Sequence, residues 1–308
     1  MSEAGEATPV EVLGLGAVAV DDVLHVDRYP PPDEKVPVRR RERRVGGLAA
    51  VALMAAARLG VRAGYAGVLG TDEDSALALM RMREAGVGLE AAMRRHGARP
   101  IRSTVVVDHH ATRTIFFDLS GFVGADGQWP PQAVIAACRV LLVDHVGVDG
   151  MTRAARCARA AGIPVVADFE SDDAPRFSEL LRAADHLILP QPFAQRITGA
   201  GDPAAAAAAL WAPDRSIVVV TCGSDGCWWL DGGAAAPVHQ RALAVEAAET
   251  TGCGDVFHGA YAAALCLGMP ASSRIRFATA AAGLKAAAGS APDAYPTRAH
   301  VEAAMARL

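Results

Sequence analysis

The residues of this chain with the clearest chemistry lie in one stretch, Glu249-Thr250-Thr251-Gly252-Cys253-Gly254-Asp255. A glycine-rich turn there runs into an alanine-rich helix, and the first turn of a helix has backbone N–H groups without intrahelical partners. With the helix dipole, the amides of residues 252–254 could hold a phosphate. Asp255 could then accept a proton from an attacking hydroxyl during phosphoryl transfer. The competing interpretation is an ordinary turn capped by an aspartate.

Two further glycine motifs have the spacing of ligand-binding turns. Gly46-Gly47 opens a predicted helix, where a substrate could reach backbone N–H groups, although a purely steric turn explains the pair equally well. Thr221, Gly223 and Gly226 follow a run of valines, and such a turn at the end of a parallel strand can hold the phosphates or ribose of a nucleotide. Asp21 follows the first apolar run, where it either binds a ligand or caps a local turn.

Short runs rich in Val, Ile and Leu alternate with helical segments along most of the chain. The predicted strands cover residues 10–20, 63–69, 140–143, 163–167, 186–189 and 217–220. Nearly continuous apolar strands, each followed by a helix, predict a three-layer α/β/α sandwich with a mainly parallel central sheet. Two inserted segments, about 23–45 and 101–118, instead alternate apolar and polar residues. They predict a small β-sheet lid over the carboxyl ends of the parallel strands.

Composition and charge exclude several classes of protein. The 308 residues, of which 52% are hydrophobic, suffice for one large domain over residues 10–308. A net charge of -4 argues against nucleic-acid or membrane partners, and the arginines at 39–41, 43 and 44 lack interleaved aromatic residues. Residues 1–9 do not resemble a secretory leader, so a cytoplasmic location is expected. The six scattered cysteines, like the adjacent His109 and His110, lack metal-ligand spacing, so we predict no protein-bound metal.

The order and spacing of these motifs resemble the PfkB/ribokinase family of ATP-dependent carbohydrate and nucleoside kinases, from about residue 12 to the last helix. The resemblance implies that the protein phosphorylates a primary hydroxyl of a small sugar. It assigns Asp255 as the general base and the amides of Gly252, Cys253 and Gly254 as the anion hole. The substrate-binding residues would be Asp21, Gly46 and Gly47. The ATP-binding residues would be Thr221, Gly223, Gly226 and Thr251, with Mg²⁺ accompanying the nucleotide.

Within that family, residues 254–260 and 276–278 look most like bacterial 6-deoxy-6-sulfofructose kinases. This narrower resemblance implies an anionic ketose, whose charge needs a basic partner. Arg113 is the first candidate, and Lys35, Arg39 and Arg102 also lie on the predicted lid; solvated lid positions are the alternative for all four. The exposed edge of the lid sheet further predicts a homodimer.

Several positions depart from the family pattern. Leu48 and Val51 stand where relatives carry polar sugar contacts, which makes ribose itself a less expected substrate. Phe193 stands where relatives carry the glutamate that organises Mg²⁺-bound water, with Gln191 nearby as a partial substitute. Glu249 replaces the usual aspartate, which leaves open the monovalent-cation site that some relatives build beside this loop.

Two other functions stay open alongside the carbohydrate kinase. A nucleoside kinase would need an aromatic or apolar slot for a base, and only 5% of the residues are aromatic. A non-catalytic sugar-sensing protein would keep the lid without the base. Cys253 carries a separate expectation, since a thiol at a helix N-terminus should have a lowered pKa.

Overall fold

The computed structural model describes residues 9–110, 112–289 and 294–308. Residues 1–8, on which the leader prediction rested, lie outside this range. Within the described ranges, no helix combines the length and the apolar character needed to cross a bilayer.

The main sheet has eight strands in the described part of the chain, in the order β14-β13-β12-β11-β10-β9-β1-β4. Neighbouring strands pair in parallel from β4 to β12, whereas β13 and β14 are antiparallel. The strands are β1 Val12–Gly14, β4 Ala63–Tyr65, β9 Val140–Asp144, β10 Val165–Asp168, β11 His186–Pro190, β12 Ile217–Thr221, β13 Cys227–Asp231 and β14 Val238–Gln240. The expected mainly parallel sheet is confirmed.

Helices cover both faces of this sheet. The helices are α1 Leu48–Arg58, α2 Glu73–Glu84, α3 Gln132–Ala136, α4 Val148–Ala160, α5 Phe177–Ala183, α6 Gln191–Thr198, α7 Pro203–Leu210, α8 Cys253–Cys266, α9 Ala271–Ala288 and α10 Arg298–Met305. Alternate residues of the central strands pack into two cores, one formed with α1, α2 and α8 to α10 and the other with α3 to α7. The predicted three-layer sandwich is therefore confirmed.

The two inserted segments form a separate small sheet with the order β3-β2-β7-β8. Its strands are β2 Ala19–Val26, β3 Val38–Gly46, β7 Ile101–Val107 and β8 Arg113–Asp118. Strand β2 pairs in parallel with β7 and antiparallel with β3. A further two-stranded sheet joins β5 Val68–Leu69 to β6 Met93–Arg94. The small sheet is built from the two segments for which a lid was predicted, and its function as a lid stays a prediction.

The prediction of one strand over residues 10–20 was wrong, because the chain changes sheets within it. Strand β1 ends at Gly14, and β2 begins at Ala19 in the small sheet. The bend contains Gly16 at φ 133°, where an added Cβ would lie 2.1 Å from Asp144 Oδ2. Ala17 N–H donates to the same oxygen at 2.5 Å. The buried carboxylate of Asp144 thus holds the crossover, and Asp21 lies inside a lid strand rather than after a main-sheet strand.

Candidate active site

The predicted catalytic turn lies at the N-terminus of α8. Gly252 is the N-cap residue, and its φ of 76° is a left-handed conformation that favours glycine. Asp255 is half-buried in the first helical turn. Gly254 is exposed, and an added Cβ there would meet no described atom within 4 Å. The helix terminus is therefore open to a ligand beside the carboxylate.

The predicted anion-binding amides are not all equally available. Cys253 N–H donates to Thr250 O at 3.3 Å, which closes the turn and partly occupies that amide. Gly252 and Gly254 precede and follow it at the helix terminus. Thr251 lies half-buried in the turn just before Gly252. The structure thus brings the four predicted residues together, with the Cys253 amide serving the turn as well.

Asp255 lies in a strongly acidic environment. Burial, reinforced by the negative charges of Asp168 and Glu170, raises the pKa of Asp255 well above its usual range, while His258 opposes the rise. Asp21 also contributes to the rise of the Asp255 pKa, so these two carboxylates are within electrostatic reach of each other. A carboxylate with a raised pKa is a stronger base than an ordinary aspartate.

A buried histidine lies one helical turn behind Asp255. His258 Nδ1 is 2.8 Å from Gly254 O and 3.1 Å from Asp168 Oδ2, and Nε2 is 3.1 Å from Ile188 O. Burial lowers the pKa of His258 and raises that of Asp168. Both ring nitrogens thus face carbonyl oxygens, which only accept hydrogen bonds, whereas Asp168 Oδ2 lies close to Nδ1 without a hydrogen-bond partner among the described residues. This arrangement fixes the helix turn that carries Asp255.

The sugar-binding side was predicted at Asp21 and the two glycines, and the structure brings these three residues together. Asp21 is 9% exposed and accepts a hydrogen bond from Ser103 Oγ on β7. Burial raises the pKa of Asp21, opposed by the Ser103 bond and the charge of Arg44. An added Cβ at Gly46 would lie 2.3 Å from Asp21 Oδ2, and at Gly47 2.5 Å from Ala17 O. Gly46 is therefore sterically required next to the Asp21 carboxylate, and Gly47 next to the backbone of Ala17.

Two arginines of the small sheet contact the turn that precedes α8. Arg44 of β3 pairs with Glu249 at 2.7 Å, and Arg113 of β8 donates to Thr250 Oγ1 at 3.0 Å. The other predicted lid cations lie elsewhere: Arg39 pairs with exposed Asp27 and Arg102 with buried Asp74, while Lys35 is exposed. Arg113 is thus the candidate that the structure brings to the catalytic turn.

The predicted nucleotide turn follows β12, two strands away from β10 and Asp168 in the main sheet. Thr221 ends the strand, and Gly223 is exposed, with φ 57° and no described atom within 4 Å of an added Cβ. Gly226 differs, because its Cβ would lie 2.0 Å from Gln240 O on β14. Gly226 is therefore needed for packing, whereas Gly223 faces open space and half-buried Thr221 donates from Oγ1 to Leu189 O at 3.5 Å.

Two expectations concern Mg²⁺ and the thiol. Phe193 is buried and packs edge-on against Phe177, so it supplies no carboxylate for Mg²⁺. The described residues contain no group of three or more His, Cys, Asp or Glu side chains arranged for a metal ion.

The expected lowering of the Cys253 pKa was wrong: burial raises it, and the nearby positive charges of Lys285 and Arg113 only oppose the rise.

Comparison with known proteins identifies the family. A model described as pfkB family carbohydrate kinase matches residues 11–298. The chain belongs to this family. Its fold is ribokinase-like. The bifunctional protein HldE of Caulobacter sp. (strain K31) is 33% identical over 293 residues, which cover 89% of this chain and 58% of that protein. The chain thus spans less than two thirds of this relative's length.

Solved structures agree with the family assignment. A putative ribokinase from Agrobacterium tumefaciens has a TM-score of 0.88 and 29% identity, covering 97% of this chain and 98% of its own. A putative ribokinase II from E. coli in complex with ATP and Mg²⁺ has a TM-score of 0.81, covers 97% of this chain and 100% of its own, and is 18% identical. The second likeness shows the shared fold alone.

The sequence interpretation missed Asp168, Glu170 and His258. Asp168 ends a buried strand, which places it at an edge of the sheet. His258 lies three residues after Asp255, which places both on the same face of the helix. Their meeting depends on the packing of α8 against β10 and β11, which the spacing of these residues does not reveal. Only the folded structure shows that these three residues lie near Asp255.

Proposed function

We propose that this kinase transfers the γ-phosphoryl group of ATP to a primary hydroxyl of a small anionic sugar, with Asp255 as the general base. The observation that carries the proposal is the position of Asp255, whose raised pKa coincides with an open helix N-terminus. A base and an anion site that share one helical turn match the two needs of phosphoryl transfer.

In this reaction the sugar hydroxyl gives its proton to Asp255 as its oxygen attacks the γ-phosphorus. The bond between that phosphorus and the β–γ bridging oxygen breaks, and ADP leaves. The amides of Gly252 and Gly254, with a smaller contribution from Cys253, would stabilise the charge of the migrating group. Mg²⁺ would enter with the ATP phosphates and neutralise their charge, since no carboxylate stands at residue 193.

The nucleotide would bind along the β12 turn, with Thr221 and Gly223 toward its phosphates or ribose. Gly226 keeps the turn closed, because Cys222 N–H donates to Gly226 O at 2.7 Å. Thr251 would lie between the nucleotide and the anion hole. These assignments follow the sheet-edge position of the turn.

The sugar would lie between β2 of the small sheet and the N-terminus of α8. Asp21 and the Gly46-Gly47 backbone would hold its hydroxyls, and Arg113 would meet its anionic group from above Thr250. Val51 lies beneath, with Cγ1 3.5 Å from the Cβ position of Gly252, so this floor is apolar. A ketose such as 6-deoxy-6-sulfofructose has the required primary hydroxyl and sulfonate. A nucleoside kinase is the alternative within the same fold.

A homodimer formed through the small sheet is also proposed. Strand β8 is an edge strand whose Phe116 and Phe117 are 53% and 65% exposed. Exposed apolar edge strands pair readily with other strands. A cytoplasmic location, where ATP is available, stays a prediction from the sequence.

The decisive experiment is an ADP-release assay with a panel of sugars, sugar phosphates, sulfosugars and nucleosides, run with wild type and Asp255→Asn. We expect one anionic sugar to be preferred and the variant to lose at least about a hundredfold in kcat, with ATP binding retained. Exposed Asp214 supplies the control, Asp214→Asn, which should behave as wild type. Near-normal turnover by Asp255→Asn would refute the general-base role, and ligand binding without turnover would favour the sugar-sensing alternative.

A further inference from the structure

A buried lysine lies behind the catalytic turn and is not used in the mechanism above. Lys285 is in the last turn of α9 and is 6% exposed. Its Nζ donates to Gly289 O at 2.6 Å. Burial lowers the pKa of Lys285, while the charges of Cys253, Glu249 and Asp255 oppose this change. The ammonium is thus enclosed between the end of α9 and the acidic turn before α8.

The catalytic turn rests directly on this end of α9. Ala248 N–H and Glu249 N–H both donate to Ala286 O, at 2.9 and 3.3 Å. Gly289 lies against the same two residues, since its added Cβ would be 3.3 Å from Ala248 Cβ. The C-terminal end of a helix carries partial negative charge. The helix carbonyls and the Glu249 carboxylate, which Arg44 also contacts, therefore form a negative locus beside the Lys285 ammonium.

The identity of the side chain is informative in this composition. Lys285 is one of two lysines in a chain that has 30 lysines and arginines together. An ammonium is a compact point charge, whereas a guanidinium is a broad planar fork. A site that takes lysine in an arginine-rich chain therefore favours a compact positive charge over a broad one.

We propose that the Lys285 ammonium acts as a built-in monovalent cation that positions the phosphoryl-binding turn, so that the kinase needs no added K⁺ or Na⁺. This inference rests on the proposed function of residues 252–255. Lys285 is a positioning residue, because it acts through the 248–255 turn and not on the substrate. A simple helix C-cap would require only the Gly289 bond; the burial and the acidic neighbours on the facing turn go beyond that requirement.

The test compares wild type, Lys285→Met and the exposed-lysine control Lys35→Met in a buffer whose only cation is tetramethylammonium, with K⁺, NH₄⁺ or Na⁺ added separately. Wild type and Lys35→Met should change less than about twofold with any ion. Lys285→Met should lose at least about tenfold in kcat and recover a substantial part with K⁺ or NH₄⁺, as expected if a free cation replaces the lost one. Its melting temperature should rise with K⁺ or NH₄⁺, unlike that of wild type.

The outcomes separate this inference from the proposed function. A wild-type enzyme that phosphorylates its sugar only with added K⁺ would overturn the inference and leave the kinase mechanism intact. A folded Lys285→Met with normal turnover would do the same, as would a loss of activity that no cation restores. If Lys285→Met does not fold, the cation dependence of wild type alone decides. Absence of turnover on every substrate would instead count against the proposed function.

Discussion

The basicity of Asp255 is set by residues on neighbouring elements. Burial raises its pKa most, the charges of Asp168 and Glu170 add to the rise, and His258 on the same helix opposes it. Asp168 is buried with its Oδ2 3.1 Å from His258 Nδ1, whereas Glu170 is exposed just after β10. Glu170 is therefore the neighbour whose charge can be removed with least disturbance of the packing.

Replacing Glu170 with glutamine should move the acid limb of the kcat/KM profile to lower pH, by at most about one unit. The direction follows because loss of a nearby negative charge makes the ionised form of Asp255 easier to reach. The profile should be measured from about pH 5 to 9 beside Glu84→Gln, an exposed control on α2. An acid limb that stays in place or moves upward would contradict the assigned coupling.

At the residue scale, sequence reasoning located the groups that belong to local motifs. Asp255, Gly252 and Gly254 follow from the chemistry of a helix N-terminus, and Asp21 from its place near a strand. His258, Glu170 and Lys285 act through partners that are distant in the chain, so their spacing carried no comparable signal. The Cys253 pKa was mispredicted because burial outweighs the helix terminus at this position.

At the scale of elements, the site depends on the close crossing of α1 and α8. An added Cβ at Gly259 would lie 2.1 Å from Ala52 O, so the two helix backbones approach each other directly there. This crossing places the Gly46-Gly47 entry of α1 beside the Gly252 entry of α8. Val51 of α1, which lies against Gly252, marks the same contact.

The variant Gly259→Ala should lower the free energy of unfolding by about 1–3 kcal/mol, the usual cost of overpacking a core. Urea unfolding measures the change, with Gly127→Ala as the control because its added Cβ meets no described atom within 4 Å. Because the crossing aligns both helix entries, the folded variant should also show a lower kcat. Unchanged stability would mean that the helices can separate at little cost.

Sequence patterns predicted the main elements well but not the change of sheet after β1, nor the division of the predicted strand 63–69 into β4 and β5 of two different sheets. Residues 10–20 are apolar almost throughout, and burial in either sheet satisfies the same pattern. Only the contact of Gly16 and Ala17 with Asp144 shows where the chain turns. The inserted segments were easier to recognise, since their alternation differs from that of doubly covered strands.

At the scale of the whole molecule, Asp144 joins the two sheets at a cost that depends on pH. Burial raises the pKa of Asp144 to about 7, while Ala17 N–H and Val146 N–H bond the carboxylate. An aspartate in an unfolded chain has a pKa near 4 (~3.9). The folded state thus holds the proton more tightly, and the stability from this group, present below about pH 4, is lost as the pH rises through about 7.

The variant Asp144→Asn removes this titration. Relative to the variant, wild type should lose roughly 2–3 kcal/mol of unfolding free energy between about pH 5 and pH 8. Parallel urea titrations of wild type and variant at both pH values measure this difference in unfolding free energy. The contributions of the other carboxylates are the same in both proteins and cancel. A difference that does not vary with pH would show that Asp144 is ionised throughout this range.

The ties from Arg44 to Glu249 and from Arg113 to Thr250 bear on how substrate preference can diversify in such a scaffold. The two inserted segments form a sheet separate from the main sheet, yet each contacts the turn before α8 that is proposed to bind phosphate. A chimaera that carries the inserted segments of another family member would lose these contacts unless residues 249 and 250 are exchanged together with them. The small sheet and the turn before α8 are therefore coupled by direct contacts, although they lie in separate stretches of sequence.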